Sequence, residues 1–478
     1  MSIPESLTPE ALTPWIESVW EEQIVPALEE YIEIPAKSPA FDADWAANGH
    51  IDRAVDLIVE RCQRFAPDGM TFEVVRLEGR TPVVLAELAA TPGLEGHAPV
   101  LMYGHLDKQP EMTGWREGLG PWIAVRDGDR LYGRGGGDDG YAAFASTLAL
   151  KALERTGADR PRAVVLIEAC EESGSYDLPH YIEHLSARIG SPELVVCLDS
   201  GAGDYDRLWN TTSLRGLVSG DLTVSLLSAG VHSGDASGVV PDSFRVARQL
   251  LSRLEDEVTG EIIEDFQVEV PTGRCDQARA AGEVLGTEVA GKFPFHDGTR
   301  AVGDMPAEQV LARTWRAALS ITGAGGLPAL GDAGNVSRPR TQLKLSLRIP
   351  PTLDPNVAIA RLEELLCSDP PYGAQVTFEA DTPGPGWDAP ALAPWLDEAL
   401  SEVGQTWFGA PTAHMGEGGS IPFMGLLAER FPRAQFLVTG VLGPESNAHG
   451  PNEFLHLGVA KKLTACVAEI LVRYTQRG

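Results

Sequence analysis

Ala163-Val164-Val165-Leu166-Ile167-Glu168-Ala169-Cys170-Glu171-Glu172 decides the fold. Its apolar run, Val164–Ile167, is continuous rather than alternating. That pattern belongs to a strand buried on both faces of a largely parallel sheet. Leu194-Val195-Val196-Cys197-Leu198 repeats it. Around these two runs, Thr71–Leu77, Pro82–Leu88 and Pro99–Tyr103 read as further strands. Tyr141–Arg155 and Leu178–Ile189 read as helices, so the chain alternates strand and helix as an α/β fold does. Adjacent carboxylates at the end of a buried strand are costly to leave unpaired, and Glu171-Glu172 therefore asks for a cation.

Upstream, the first 70 residues read as helical: Trp15, Val19, Ile24, Leu28 and Ile32 have helix-like spacing, and a second helical stretch runs from Ile51 to Phe65. Beyond Asp199 the character changes. Leu217–Leu227 and Gln342–Arg348 alternate apolar and polar residues, as strands with one solvent-facing side do. Helices are expected at Ser243–Leu254, Pro306–Leu319 and Val357–Leu366. The Pro/Gly-rich stretch Asp381–Gly386 closes this part. The α/β pattern then resumes with a helix at Ala391–Val403, a strand at Gln435–Val438 and a helix at Leu457–Thr475. The expected architecture is a mixed, mainly parallel sheet flanked by helices, formed by 1–212 and 386–478. An α+β domain at 213–385 interrupts it.

The chain has 478 residues, and its formal charge of −30 argues against nucleic acid and anionic membranes as partners. The N-terminal sequence has no basic and apolar leader pattern, and no run approaches the roughly 18 apolar residues of a membrane span. The six cysteines lack CxxC spacing, which reads as reduced thiols in a cytoplasmic protein.

Four other segments share the acidic and imidazole character of Glu171-Glu172: Gly104-His105-Leu106-Asp107, Gly133–Gly140 with Asp138-Asp139, Leu198-Asp199-Ser200 and Ala448-His449-Gly450. His105 ends an apolar strand, and Asp107, two residues on, points to the same side and is placed to orient the imidazole. The glycine-rich loop before Asp138 lacks the Lys-Ser/Thr of a phosphate loop and carries carboxylates where phosphate would sit, so a cation suits it better. Asp199 ends another apolar strand. Ligands of open α/β sheets gather beyond the carboxyl ends of the strands, where His105, Glu171, Glu172 and Asp199 converge. Two imidazoles and three carboxylates without a thiolate suit Zn, Mn or Co, and nothing in the ligands selects among them.

With these motifs in order, the chain resembles the dinuclear metallopeptidase family of carnosinases, cysteinylglycine dipeptidases, peptidase V, carboxypeptidase G and acetylornithine deacetylases. The resemblance implies two divalent metal ions, zinc foremost. One would be held by His105, Asp138 and Asp199, the other by Asp138, Glu172 and His449. It implies Glu171 as general base and Asp107 as the residue orienting His105. Asp138–Asp139 resembles the family's non-proline cis peptide. The inserted part resembles a lid and dimerisation domain, implying a homodimer. Its Gly230-Val231-His232-Ser233-Gly234 matches the motif whose histidine polarises the scissile carbonyl. Arg348 resembles the arginine that holds the substrate carboxylate, and Asn335 a polar lid contact. Glu417-Gly418-Gly419-Ser420 resembles the pocket loop.

Two departures stand out. Gly140-Tyr141 occupies the place of a family lysine, leaving the loop geometry open. Lys108 replaces an apolar residue and is expected at the pocket mouth. Within the family it resembles, Asp at position 199 and Glu171-Glu172-Ser173-Gly174-Ser175 imply hydrolysis of a dipeptide. An N-acyl-amino-acid substrate is the alternative, and an inactive metal-binding scaffold the alternative from another class.

Overall fold

A computed structural model describes residues 5–477. Its central sheet has six strands, in the order Thr71–Val75, Val83–Leu88, Ala163–Glu168, Val100–His105, Leu194–Cys197 and Gln435–Val438. The last four run parallel to one another, and Val83–Leu88 is antiparallel to both of its neighbours, Thr71–Val75 and Ala163–Glu168. All six were legible as strands, to within about two residues at each end. Ala163–Glu168 is buried along its whole length, and its period-2 alternation divides it between two cores. Val165 and Ile167 join Met102, Val196 and the helices Tyr141–Thr156 and Leu457–Gln476 on one face. Val164 and Leu166 join Leu101, Tyr181, Phe423 and Leu427 on the other. The continuous apolar run is thus two half-patterns interleaved, each facing its own layer of helices.

The helices follow the sequence with local corrections. Leu178–Ile189 is not one helix but two, Leu178–His184 and Ser186–Ile189, separated at Leu185, where φ is −93° and ψ 7°. Pro306 opens a helix that ends at Thr314 rather than Leu319. Ala318–Gly325 is instead a strand, paired along Arg340–Ile349. Its glycines disfavour helix, and the ladder with the neighbouring strand supplies what local propensity does not. The helix from Ser243 stops at Leu251.

A second sheet, wholly antiparallel, runs Ala318–Gly325, Arg340–Ile349, Gly216–Ser225, Gln375–Ala380. Val218, Leu222, Leu345 and Leu347 on its inner face pack against Val246, Leu250, Leu362 and Leu366 of two helices. Sequence reading missed the helix Thr272–Leu285, whose buried face is the small-residue set Ala278, Ala281 and Gly282 with Leu285. A Cβ on Gly282 would lie 2.7 Å from the Ala307 nitrogen, so glycine lets this helix and Pro306–Thr314 touch. The pair packs on Trp209, Trp315 and Met415. Residues 272–315, although inside the interval 213–385, therefore share a core with the strands Trp209–Leu214 and Ala413–Glu417. Among the described residues no helix is long and apolar enough to cross a membrane.

Candidate metal centre

Three parallel strands deliver their ends to one place. His105 is the last residue of its strand, and the register sets it beside Glu168 of the neighbouring strand. Asp199 follows Leu194–Cys197 by two residues. Between them lies the turn Gly136–Gly140, which carries a cis peptide at Asp138–Asp139. His105 Nε2 lies 3.3 Å from Asp138 Oδ1 and 3.7 Å from Asp199 Oδ2. His449 Nε2 lies 3.1 Å from Asp138 Oδ2 and 3.4 Å from Glu172 Oε2. The two oxygens of Asp138 thus face the two imidazoles separately.

The donor set fits divalent ions. Around a tetrahedral ion with bonds of about 2.0–2.2 Å, ligand atoms sit roughly 3.3–3.6 Å apart, close to the distances between these side chains. His105 Nε2, Asp139 Oδ1 and Glu172 Oε1 are buried with no hydrogen-bond partner, although buried polar atoms are ordinarily paired. One ligand atom each from His105, Asp139 and Asp199 falls within a 4.8 Å set, as does one each from His105, Asp138 and Glu172.

The charge balance points the same way. Burial, then the charges of Asp199 and Glu172, hold the Glu171 carboxyl well above its usual range. Burial, then Asp138, pushes Glu172 up to about 8. Burial opposes protonation of His105, but the carboxylates of Asp199, Asp107 and Asp138 outweigh it and raise its pKa well above the ordinary value. His449 rises to about 9: burial opposes charging, and Glu172 and Asp138 overcome it. So many carboxylates crowded out of water favour positive charge among them, as protons or as cations.

The surroundings fix these groups. Asp107 is fully buried and accepts from the backbone N–H groups of Glu171 (3.1 Å) and Glu172 (3.0 Å), while its Oδ1 lies 3.6 Å from His105 Nδ1. The Asp107 carboxylate therefore holds the acidic turn, while its backbone carbonyl, 3.1 Å from His105 Nδ1, sets the imidazole. Gln109 donates to Glu172 Oε2 at 2.5 Å. His449 sits in a left-handed conformation, φ 64°, on a loop whose carbonyls at His449 and Gly450 accept from Arg134. Arg134 is itself buried against Glu453, which also accepts from the Gly135 N–H at 2.7 Å. Glu168 accepts from Tyr103 (2.6 Å) and Ser175 (2.8 Å), tying the acidic turn to the sheet. Sequence reading missed Asp139, Gln109, Glu168 and Glu453. A lone Glu within apolar surroundings, as at Ile167-Glu168-Ala169, was the available signal for Glu168.

The two departures resolve locally. Tyr141 is buried and donates to the Leu198 carbonyl at 2.5 Å, joining the turn to the strand that presents Asp199. Lys108 does not reach the pocket mouth. It is fully buried and turns inward, donating to the carbonyls of Tyr31 (2.7 Å), Ile32 (3.3 Å) and Ile34 (2.8 Å) at the end of the helix Val25–Ile32. The Tyr31 and Ile34 carbonyls also accept from the backbone N–H groups of Ile34 and Ala36, so Lys108 adds a second donor to each, and burial holds its amine well below the usual lysine range. Lys108→Met is expected to destabilise the fold by about 1.5–4 kcal/mol, since it removes three buried hydrogen bonds worth about 0.5–1.5 kcal/mol each. Urea unfolding measures this, and a loss below about 1 kcal/mol would contradict the capping role.

The other expected residues stand on other elements. His232 and Asn335 are exposed, on a small two-stranded ladder where Val231–His232 pairs with Val336–Ser337 and the Ser233 N–H donates to the Asn335 carbonyl. Arg348 is half-buried on the second sheet. Gly419 has open space at its Cβ position, and Ser420 Oγ lies 3.5 Å from that of Gly384. Glu417 connects the two regions: a Cβ on Gly201, two residues past Asp199, would lie 2.5 Å from its carboxylate.

A mainly parallel sheet presenting such a cluster beyond its strand ends defines a metal-dependent hydrolase. The chain belongs to Peptidase family M20/M25/M40, which it matches over residues 101–473. A cysteinylglycine-S-conjugate dipeptidase of Corynebacterium striatum is 28% identical over 395 residues, 79% of this chain and 82% of that one. In fold, the chain is similar to the di-peptidase Dug1p of Saccharomyces cerevisiae, with a TM-score of 0.78 at 21% identity and 99% of each chain covered. Human carnosine dipeptidase 1 gives a TM-score of 0.78 at 21% identity over 100% of each chain.

Proposed function

We propose that this chain hydrolyses the amide bond of a dipeptide or similarly small peptide with two divalent ions. The observation that carries this reading is Asp138, whose Oδ1 and Oδ2 face His105 and His449 at 3.3 and 3.1 Å. His105, Asp138 and Asp199 would hold one ion, and Asp138, Glu172 and His449 the other. The choice of peptide rests on the relative from Corynebacterium striatum. Zinc is the foremost metal, with manganese or cobalt as alternatives, and the setting is the cytoplasm.

Bound ions supply Lewis acidity to a carbonyl and make water acidic enough to ionise near neutral pH. The chain supplies the rest. Glu171 takes the proton of the attacking water and returns it to the leaving amine. Its high proton affinity suits that exchange, and Asp107 holds its backbone in place. Arg348 receives the substrate carboxylate, with Gly419 and Ser420 as pocket contacts and Asn335, beside His232, as a polar lid contact. His232 is exposed on the inserted domain 213–385, through which a homodimer would form. There the imidazole reaches the partner's site and stabilises the developing oxyanion.

The test is metal-stripped enzyme with Zn, Mn or Co added back, assayed on dipeptides and on N-acetyl and N-succinyl amino acids. Dipeptide cleavage restored by metal is expected. Cleavage of the acylated amino acids alone would replace the peptide assignment.

A further inference from the structure

In a chain of 38 basic and 68 acidic residues, an arginine without an acidic partner is conspicuous. Three stand together beside the Glu417 loop. Arg215 is buried and donates only to carbonyls, those of Gly418 (3.2 Å), Ala312 (3.4 Å) and Arg316 (3.1 Å). Arg313 directs Nη2 to Met415 Sδ at 3.2 Å, and its Nε is buried without a partner. Arg348 has its Nη1 buried and unpartnered. Among the described residues no carboxylate forms an ion pair with any of them. Lys292, on the exposed rim, adds a fourth cation within the field of Arg313 and Glu417.

The three guanidiniums share one field. Burial, then the charges of Arg348 and Arg313, push Arg215 down to about 10, with Glu417 opposing. Arg313 and Arg348 come from different elements, the helix Pro306–Thr314 and the strand Arg340–Ile349. Gly418 runs beside them: a Cβ there would lie 3.0 Å from the Arg313 carbonyl and 3.1 Å from Arg215 Nη2. No side chain fills that position. Glu417, meanwhile, turns its carboxylate toward Gly201 on the metal-centre side. One carboxylate stands against four cations, and a single substrate carboxylate leaves the excess in place. Buried, unpaired guanidinium N–H groups are costly until an anion meets them.

We propose that this arginine cluster selects peptides ending in a dicarboxylic residue, aspartate or glutamate, with the α-carboxylate on Arg348 and the side-chain carboxylate on Arg313. This rests on the peptidase reading above and names its substrate class. A guanidinium that binds a carboxylate but meets a neutral amide instead loses a charge-assisted hydrogen bond.

The test compares Ala-Glu with Ala-Gln, which differ only in that charge, using the metal-loaded full chain. Wild type is expected to favour Ala-Glu in kcat/KM by roughly tenfold to a hundredfold. Arg313→Gln brings the ratio toward one, while Arg313→Lys, which keeps the charge, retains most of it. A wild-type ratio at or below one, or a ratio unchanged by Arg313→Gln, overturns the proposal. If neither dipeptide is cleaved, the peptidase reading fails, and calorimetric titration still decides the cluster. Glutarate is expected to bind at least tenfold tighter than butyrate and to lose that advantage in Arg313→Gln. Equal binding of the two acids by wild type overturns it.

Discussion

Glu171→Gln is expected to lower kcat about a thousandfold while leaving two metal equivalents bound, because general acid–base catalysis by one positioned group is worth roughly 10²–10⁴. The substitution is nearly isosteric. It keeps the backbone N–H that donates to Asp107 at 3.1 Å, so the turn, the Glu172 beside it and the orientation of His105 all persist. What it removes is a carboxylate whose proton affinity burial and the charges of Asp199 and Glu172 have raised. An amide cannot take that proton. The expected signature is therefore a fall in kcat with little change in KM or in metal content by elemental analysis. Activity within tenfold of wild type would remove Glu171 from the base role. Loss of metal together with activity would instead make it a ligand.

Much of this centre was legible because its residues sit at breaks in a simple pattern. A carboxylate or imidazole closing an apolar strand stands out, and His105, Glu171 and Asp199 each do so. The parallel topology then gathers the strand ends without further information. The place of His449 in a ligand set came only through resemblance, since it lies on a loop in a left-handed conformation held by Arg134 rather than at a strand end. Lys108 misled for a related reason. Its place beside Asp107 suggested the pocket, but it turns to the end of a helix some 75 residues earlier, with its Nζ 2.7 Å from the Tyr31 carbonyl. Long-range capping leaves no local periodicity to read. The strand Ala318–Gly325 was hidden likewise: its partner across the ladder, not its own composition, makes it a strand. Residues 272–315 carried no composition shift that would tell which core they join, because Ala278, Ala281 and Gly282 pack by being small.

Asp138→Ala is expected to cost more than any other single ligand substitution, since this one carboxylate faces both imidazoles. Removing it leaves His105 Nε2 without its 3.3 Å neighbour and His449 Nε2 without its 3.1 Å neighbour, so both ligand sets fall to two members at once. Even outer groups around a metal are worth about 10–100-fold in affinity, so loss of a shared inner carboxylate should exceed a hundredfold for both ions. Substituting Asp199 or His449 touches one set only, and should leave one metal equivalent near wild-type affinity. Thermal unfolding with and without added zinc supplies a readout free of turnover. A ligand that binds only the folded chain raises Tm with concentration, by mass action. Wild type is expected to gain Tm in one large increment or two, His449→Ala to keep part of that gain, and Asp138→Ala to show almost none. Should Asp138→Ala instead retain a full metal-induced shift and two bound equivalents, Asp138 would not be shared between the ions. Asp139, whose carboxylate falls in one set with His105 and Asp199, would then be the next residue to substitute.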